Sequence, residues 1–158
     1  MRYLMIDRVL RLEKDRSIRA IKSVSQAEDY FRDHFPGNPV MPGALMIEAA
    51  AQAGTALLEV SSDYTRKAIL IMVHDAKFRS VVRPGQTLIL DLTITDRNQH
   101  SVTVDCEITS SIPGEEAKRT ASMVLSFSLP DASEFYPEYM RSHVRAMYES
   151  WLDNTAVL

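Results

Sequence analysis

Residues 25–43 read SQAEDYFRDHFPGNPVMPG, and residues 44–59 follow as ALMIEAAAQAGTALLE. The contrast between these two stretches decides the fold. The last eight residues of the first hold three prolines and two glycines. No regular element can run through them, so the segment is a loop of fixed shape. The second stretch holds six alanines, three leucines, Met46 and Ile47, all compatible with a helix. Pro42 suits the first helical turn, where its missing N–H costs nothing. A helix this apolar all round is predicted to be buried on most sides. Glu48, Gln52 and Thr55 are its internal polar exceptions.

Upstream, residues 3–12 are rich in Leu, Ile and Val, EKDRS is a polar turn, and residues 18–24 set Ile18, Ala20 and Ile21 among Arg19 and Lys22. That is a hairpin pattern. Downstream, strands are predicted over 68–78, 86–96, 101–111 and 117–129, with RPGQ, RNQH and IPGEE as turns. The order is two strands, a long helix, then four strands. Short turns make the sheet antiparallel, and one of its faces must cover the helix. The fold class is therefore α+β, a single antiparallel sheet wrapped around a central helix.

Pro130 closes the last strand. Beyond it Tyr136, Met140, Val144, Met147 or Tyr148, and Trp151 recur every three to four residues, which predicts a C-terminal amphipathic helix. Its apolar stripe is expected on its own sheet or a partner subunit, the alternative being a docking role for another protein. The expected organisation is a domain over 1–130 and a helical extension over 131–158.

At 158 residues the chain suits one domain with a real core. Its net charge of −3 and pI near 5.8 argue against a nucleic-acid binder. A single cysteine, Cys106, excludes an internal disulfide; it is expected as a small buried hydrophobe in a strand. The N-terminus carries Arg2, Asp7 and Arg8 within its apolar part, unlike a signal peptide, and no apolar run reaches a membrane span. The expectation is a cytoplasmic protein that is neither membrane-bound nor nucleic-acid-bound.

Two ionisable residues break local expectation. His34 sits in the loop stiffened by Pro36, Pro39 and Pro42, and Glu48 sits in the apolar helix. A carboxylate in apolar surroundings tends toward a raised pKa, in the range of a usable general acid, and histidine can act as a base near neutrality. Each also has an ordinary reading: a solvated loop histidine, and a glutamate on an exposed helix face. Composition and period mark a candidate site and go no further.

The stretch from His34 to Gln52 fills every fixed position of H-F-P-G-x-P-x-x-P-G-x-L-x-x-E-A-x-x-Q, and it resembles the signature of the 3-hydroxyacyl-[acyl-carrier-protein] dehydratases. YLMIDRV at 3–9, DAKFR at 75–79 and VRPG at 82–85 are similar to further segments of that family. The resemblance covers roughly residues 2–129 and stops short of the C-terminal tail. It implies the hot-dog fold, in which an antiparallel sheet wraps one long helix. It also implies a homodimer with active sites at the subunit interface, His34 of one subunit facing Glu48 of the other. By the same resemblance His34 takes the C2 proton of the thioester and Glu48 protonates the departing C3 hydroxyl. The N–H of Gly43 supports the carbonyl oxygen, and Gln52, one turn beyond Glu48, orients it. Phe35, Leu45 and Phe78 are candidates for a substrate tunnel, though such residues are more often core. Lys77, Arg79 and Arg83 are candidates for meeting the acyl carrier protein or its phosphopantetheine phosphate, or else are solvated charges. No metal and no cofactor are expected, since the substrate arrives on phosphopantetheine. Glu at position 48, where the isomerising sister branch has Asp, favours dehydration alone. The open alternatives are a hot-dog thioesterase and a non-catalytic carrier-binding subunit.

Overall fold

A computed structural model of the chain describes residues 4–98 and 100–152. Strands β1 (Arg8–Glu13) and β2 (Ser17–Ser23) form the opening hairpin, with Leu12 opposite Ile18 and Val9 opposite Ala20. The strand expected from residue 3 begins only at Arg8. The reason is a contact distant in sequence. The Met5 N–H donates to Oε1 of Gln52 rather than to a neighbouring strand, and the Asp7 N–H donates to the Ile21 carbonyl at 2.9 Å. Tyr3 lies outside the described residues.

One 3-10 turn, Asp29–Phe31, precedes the proline-rich loop, and helix α1 then runs over Gly43–Ser61. Asp63 and Tyr64 follow it with φ of 47° and 62°. That left-handed pair stops the helix, and the Tyr64 N–H returns to the Glu59 carbonyl. Strands β3 (Ile69–Phe78), β4 (Thr87–Arg97), β5 (Ser101–Ser111) and β6 (Lys118–Ser128) complete one six-stranded antiparallel sheet in the order β1-β2-β4-β5-β6-β3. The expected single sheet around a central helix is borne out.

Alternate residues of the inner strands form the sheet's buried face: Leu88, Leu90 and Leu92 on β4, Val102, Val104, Cys106 and Ile108 on β5, and Ala121, Met123, Leu125 and Phe127 on β6. They join Ala49, Ala53, Ala56 and Leu57 of α1 in one core. Burial pushes the Cys106 thiol up to about 12, helped by the charges of Asp91, Glu107 and Asp105. It is an inert core residue, as expected.

At Gly54 the helix lies tight against the sheet. A Cβ there would lie 2.7 Å from Cζ of Phe127, and that ring is fully buried. Gly54→Ala gains about 1 kcal/mol of helix propensity but overpacks the core by roughly 1–3 kcal/mol. The expected net result is a loss of about 1 kcal/mol, read as a lower denaturant midpoint at unchanged slope.

β3 is the exception to the burial pattern. It occupies one end of the sheet, it is bulged between His74 and Lys77 where Asp75 takes φ 47°, and its Ile71 and Met72 are more than half exposed. Helix α2 (Glu138–Trp151) follows a second 3-10 turn, Ala132–Glu134. Its Tyr148 and Trp151 are buried in the common core, with Val144 and Met147 packed against it. The C-terminal half of the stripe predicted for the tail is thus covered by its own chain, whereas Met140 near its start is exposed. Among the described residues no helix is long and apolar enough to cross a membrane.

Candidate active site

His34 is held by its loop from both sides. Its N–H donates to the Tyr30 carbonyl, and its ring Nδ1 lies 2.6 Å from the Val40 carbonyl oxygen. A carbonyl only accepts, so Nδ1 carries a proton, and in the neutral ring the lone pair is on Nε2. The ring is half-buried and packs edge-on to Phe35, with centroids 4.5 Å apart.

The loop has the fixed shape its prolines predict, and it is also strained. Phe35 takes φ 60°, a conformation that costs a residue with a Cβ roughly 1–2 kcal/mol. Gly37 (φ 81°) takes the same region without that cost. The Asn38 N–H donates to the Phe35 carbonyl, closing the turn at 2.8 Å, and the Met41 N–H donates to the Val82 carbonyl. Met41 itself is buried and plugs the loop into the core. Arg83 adds a tie from outside, donating to Oδ1 of Asn38 at 2.5 Å.

Gly43 is the first residue of α1, after Pro42. First-turn N–H groups have no intrahelical acceptor and sit at the positive end of the helix dipole. The Phe78 ring stands over it: a Cβ at position 43 would lie 3.2 Å from that ring. Hence the glycine is needed for close approach by a side chain of the same subunit.

Glu48 is half-buried on the face of α1 that also carries Ala44, Gln52 and Thr55. The Gln52 side-chain amide donates to Oε1 of Glu48 at 2.7 Å, while its own oxygen accepts the Met5 N–H at 2.9 Å. Gln52 is thereby fixed at both ends and sets the orientation of the carboxyl group. Within one chain His34 bonds Val40 and Glu48 bonds Gln52; no hydrogen bond links the two.

The remaining sequence candidates separate. Leu45 is a core residue, whereas Phe35 and Phe78 are about half exposed. Lys77 is exposed, Arg79 donates to the Ser122 hydroxyl, and Arg83 is engaged with the His34 loop. The Val40 carbonyl and the Asn38–Arg83 tie were not anticipated. Both depend on loop closure that residue types alone do not specify.

A six-stranded antiparallel sheet around one long helix is the hot-dog architecture. The acetyl-CoA-bound protein smu.793 of Streptococcus mutans shares it, with a TM-score of 0.59, 13% identity, and coverage of 78% of this chain and 88% of that one. The sequence is more specific. A FabA-like domain matches residues 1–119. The 3-hydroxyacyl-[acyl-carrier-protein] dehydratase FabZ of Lactiplantibacillus plantarum is 39% identical over 130 residues, which cover 82% of this chain and 86% of that protein. FabZ of Lactobacillus helveticus is 41% identical over 129 residues, covering 81% and 84%. The chain belongs to the 3-hydroxyacyl-[acyl-carrier-protein] dehydratase family.

Proposed function

We propose that this protein converts 3-hydroxyacyl thioesters, carried on acyl carrier protein, to trans-2-enoyl thioesters in acyl-chain biosynthesis. The observation that carries the reading is the His34–Val40 hydrogen bond, which leaves Nε2 as a directed base in a loop of the family's motif. Nε2 removes the C2 proton, which is acidic because the thioester delocalises the resulting charge. The Gly43 N–H at the positive end of α1 stabilises that charge on the carbonyl oxygen. Glu48, held by Gln52, gives a proton to the C3 hydroxyl. The C3–O bond breaks, the C2 electron pair forms the double bond, and water leaves. One proton is taken and one is given, so the pair needs no cofactor of its own. Gly43 and Glu48 are five residues apart, about 7.5 Å along the axis, a span that suits the carbonyl and hydroxyl ends of the head group.

The active unit is a homodimer joined at the β3 edges. The support is threefold: β3 is the terminal strand on its side of the sheet, its apolar Ile71 and Met72 are exposed, and His34 and Glu48 share no hydrogen bond within one chain. An open edge with apolar side chains invites pairing with another strand.

Purified protein supplied with 3-hydroxybutyryl-acyl carrier protein is expected to form the enoyl thioester without releasing free thiol. Release of thiol with no enoyl product overturns the reading in favour of a thioesterase. Gln52→Ala is expected to lower kcat by roughly tenfold with little change in KM, because it loosens Glu48 without removing it.

A further inference from the structure

Two features have no part in the dehydration itself: Thr55, a polar residue on the open face of α1, and helix α2, which lies beyond the residues matched by the FabA-like domain. They border one cavity of about 300 Å³, lined chiefly by Leu4, Gln52, Thr55, Met147, Tyr148 and Trp151. Lys67 also borders it, but its ammonium group is held by Glu59 at 2.6 Å. The volume is at the low end of small-molecule sites.

The cavity shares Gln52 with the reacting centre. Glu48, Gln52 and Thr55 follow one another at i, i+4 and i+7 along one helix face. On the dehydratase reading, on which this inference rests, direction along α1 is fixed by the chemistry. The thioester carbonyl lies at Gly43 and C3 at Glu48, so carbons beyond C3 continue toward Gln52 and Thr55. Thr55 is seven residues past Glu48, about 10.5 Å along the axis. Met147 and Trp151 of α2 line the same cavity as Thr55 and supply apolar surface there. We infer that the alkyl tail of the substrate occupies this cavity, and that Met147 and Trp151 of α2 set the longest chain accepted.

The test compares kcat/KM for 3-hydroxybutyryl and 3-hydroxydecanoyl thioesters in the full chain and two variants. Thr55→Phe fills the cavity and is expected to lower the decanoyl-to-butyryl ratio by about tenfold or more, the scale on which an apolar pocket discriminates methylenes. Met147→Ala enlarges the cavity from the α2 side and is expected to raise the same ratio. Opposite shifts from filling and enlarging it cannot come from a shared loss of folding, which a melting curve of each variant also monitors. A ratio that stays within twofold of wild type in both variants, or moves the same way in both, overturns the inference while leaving the dehydratase reading intact. A wild-type protein that turns over neither chain length overturns the dehydratase reading, and this inference with it.

Discussion

His34→Ala is expected to lower turnover by about 10²–10⁴-fold, the usual contribution of a positioned acid–base group, with little change in melting temperature. The loop does not depend on the imidazole for its shape. Met41 buried in the core, the Met41–Val82 and Asn38–Phe35 backbone bonds, and the Arg83 tie all survive the substitution. Only the Val40 carbonyl loses a partner, and it can turn to water. Glu48→Gln should cost a similar factor, since it keeps an acceptor for the Gln52 amide but has no acidic proton to give. The double variant should be barely worse than either single one, because groups that act as a unit are not additive. Mixing the two single variants separates a shared site from a self-contained one. In a two-fold symmetric dimer with composite sites, each hybrid holds one intact and one doubly damaged site. Random exchange of equal amounts should restore roughly a quarter of wild-type activity. If activity stays at the level of the single variants after verified subunit exchange, each site is built within one chain and the composite dimer is wrong.

How far the sequence reaches is clearest on α1. Its alanine and leucine content and the proline-rich loop before it locate the helix to within two residues at each end. The alternation of β4, β5 and β6 is equally readable because each has one covered face. β1 is read too long, because nothing local shows that the Met5 N–H goes to Gln52, far along the chain. The His34 loop is legible as stiff but not as strained, since Phe35 is an unusual residue to hold at positive φ. The carboxylates are the instructive case. Sequence neighbours made Glu48 look the more buried, with Ile47 before it and alanines after. Helical period sets Glu48 and Glu59 on one stripe, eleven residues and about three turns apart, so what covers each end of the helix decides their burial. Glu48 shares the half-open face with Ala44, Gln52 and Thr55, whereas Glu59 is 2% exposed. The elements that bury Glu59 come from Lys67 and from α2, and their arrival at that spot cannot be read from the residues around position 59.

Glu59→Ala should therefore destabilise the fold by about 3–5 kcal/mol, the cost of removing one partner of a buried ion pair, and lower the melting temperature by on the order of 10 °C. Glu59 accepts from the Lys67 ammonium at 2.6 Å and from the Ala68 N–H at 3.2 Å. Burial alone would lower the Lys67 pKa; the hydrogen bond and charge of Glu59 outweigh it, and the group ends above the ordinary lysine value. Tyr148 lies beside the pair, and burial first, then the Glu59 charge, pushes its hydroxyl well above the tyrosine range. Both groups therefore keep protons in the folded state that the unfolded chain releases on passing about pH 10. Stability from both is complete below that pH and falls as pH rises toward the raised folded-state values. The alkaline limb of the wild-type stability curve should accordingly be steep. In Glu59→Ala it should begin from a lower plateau and slope less, because the charge that raises Lys67 and part of what raises Tyr148 are gone. Glu59→Gln, which keeps an acceptor for Lys67 and Ala68, should lose markedly less stability than Glu59→Ala. Equal losses in the two variants would mean that packing of α2 against this end of α1, and not the ion pair, carries the stabilisation.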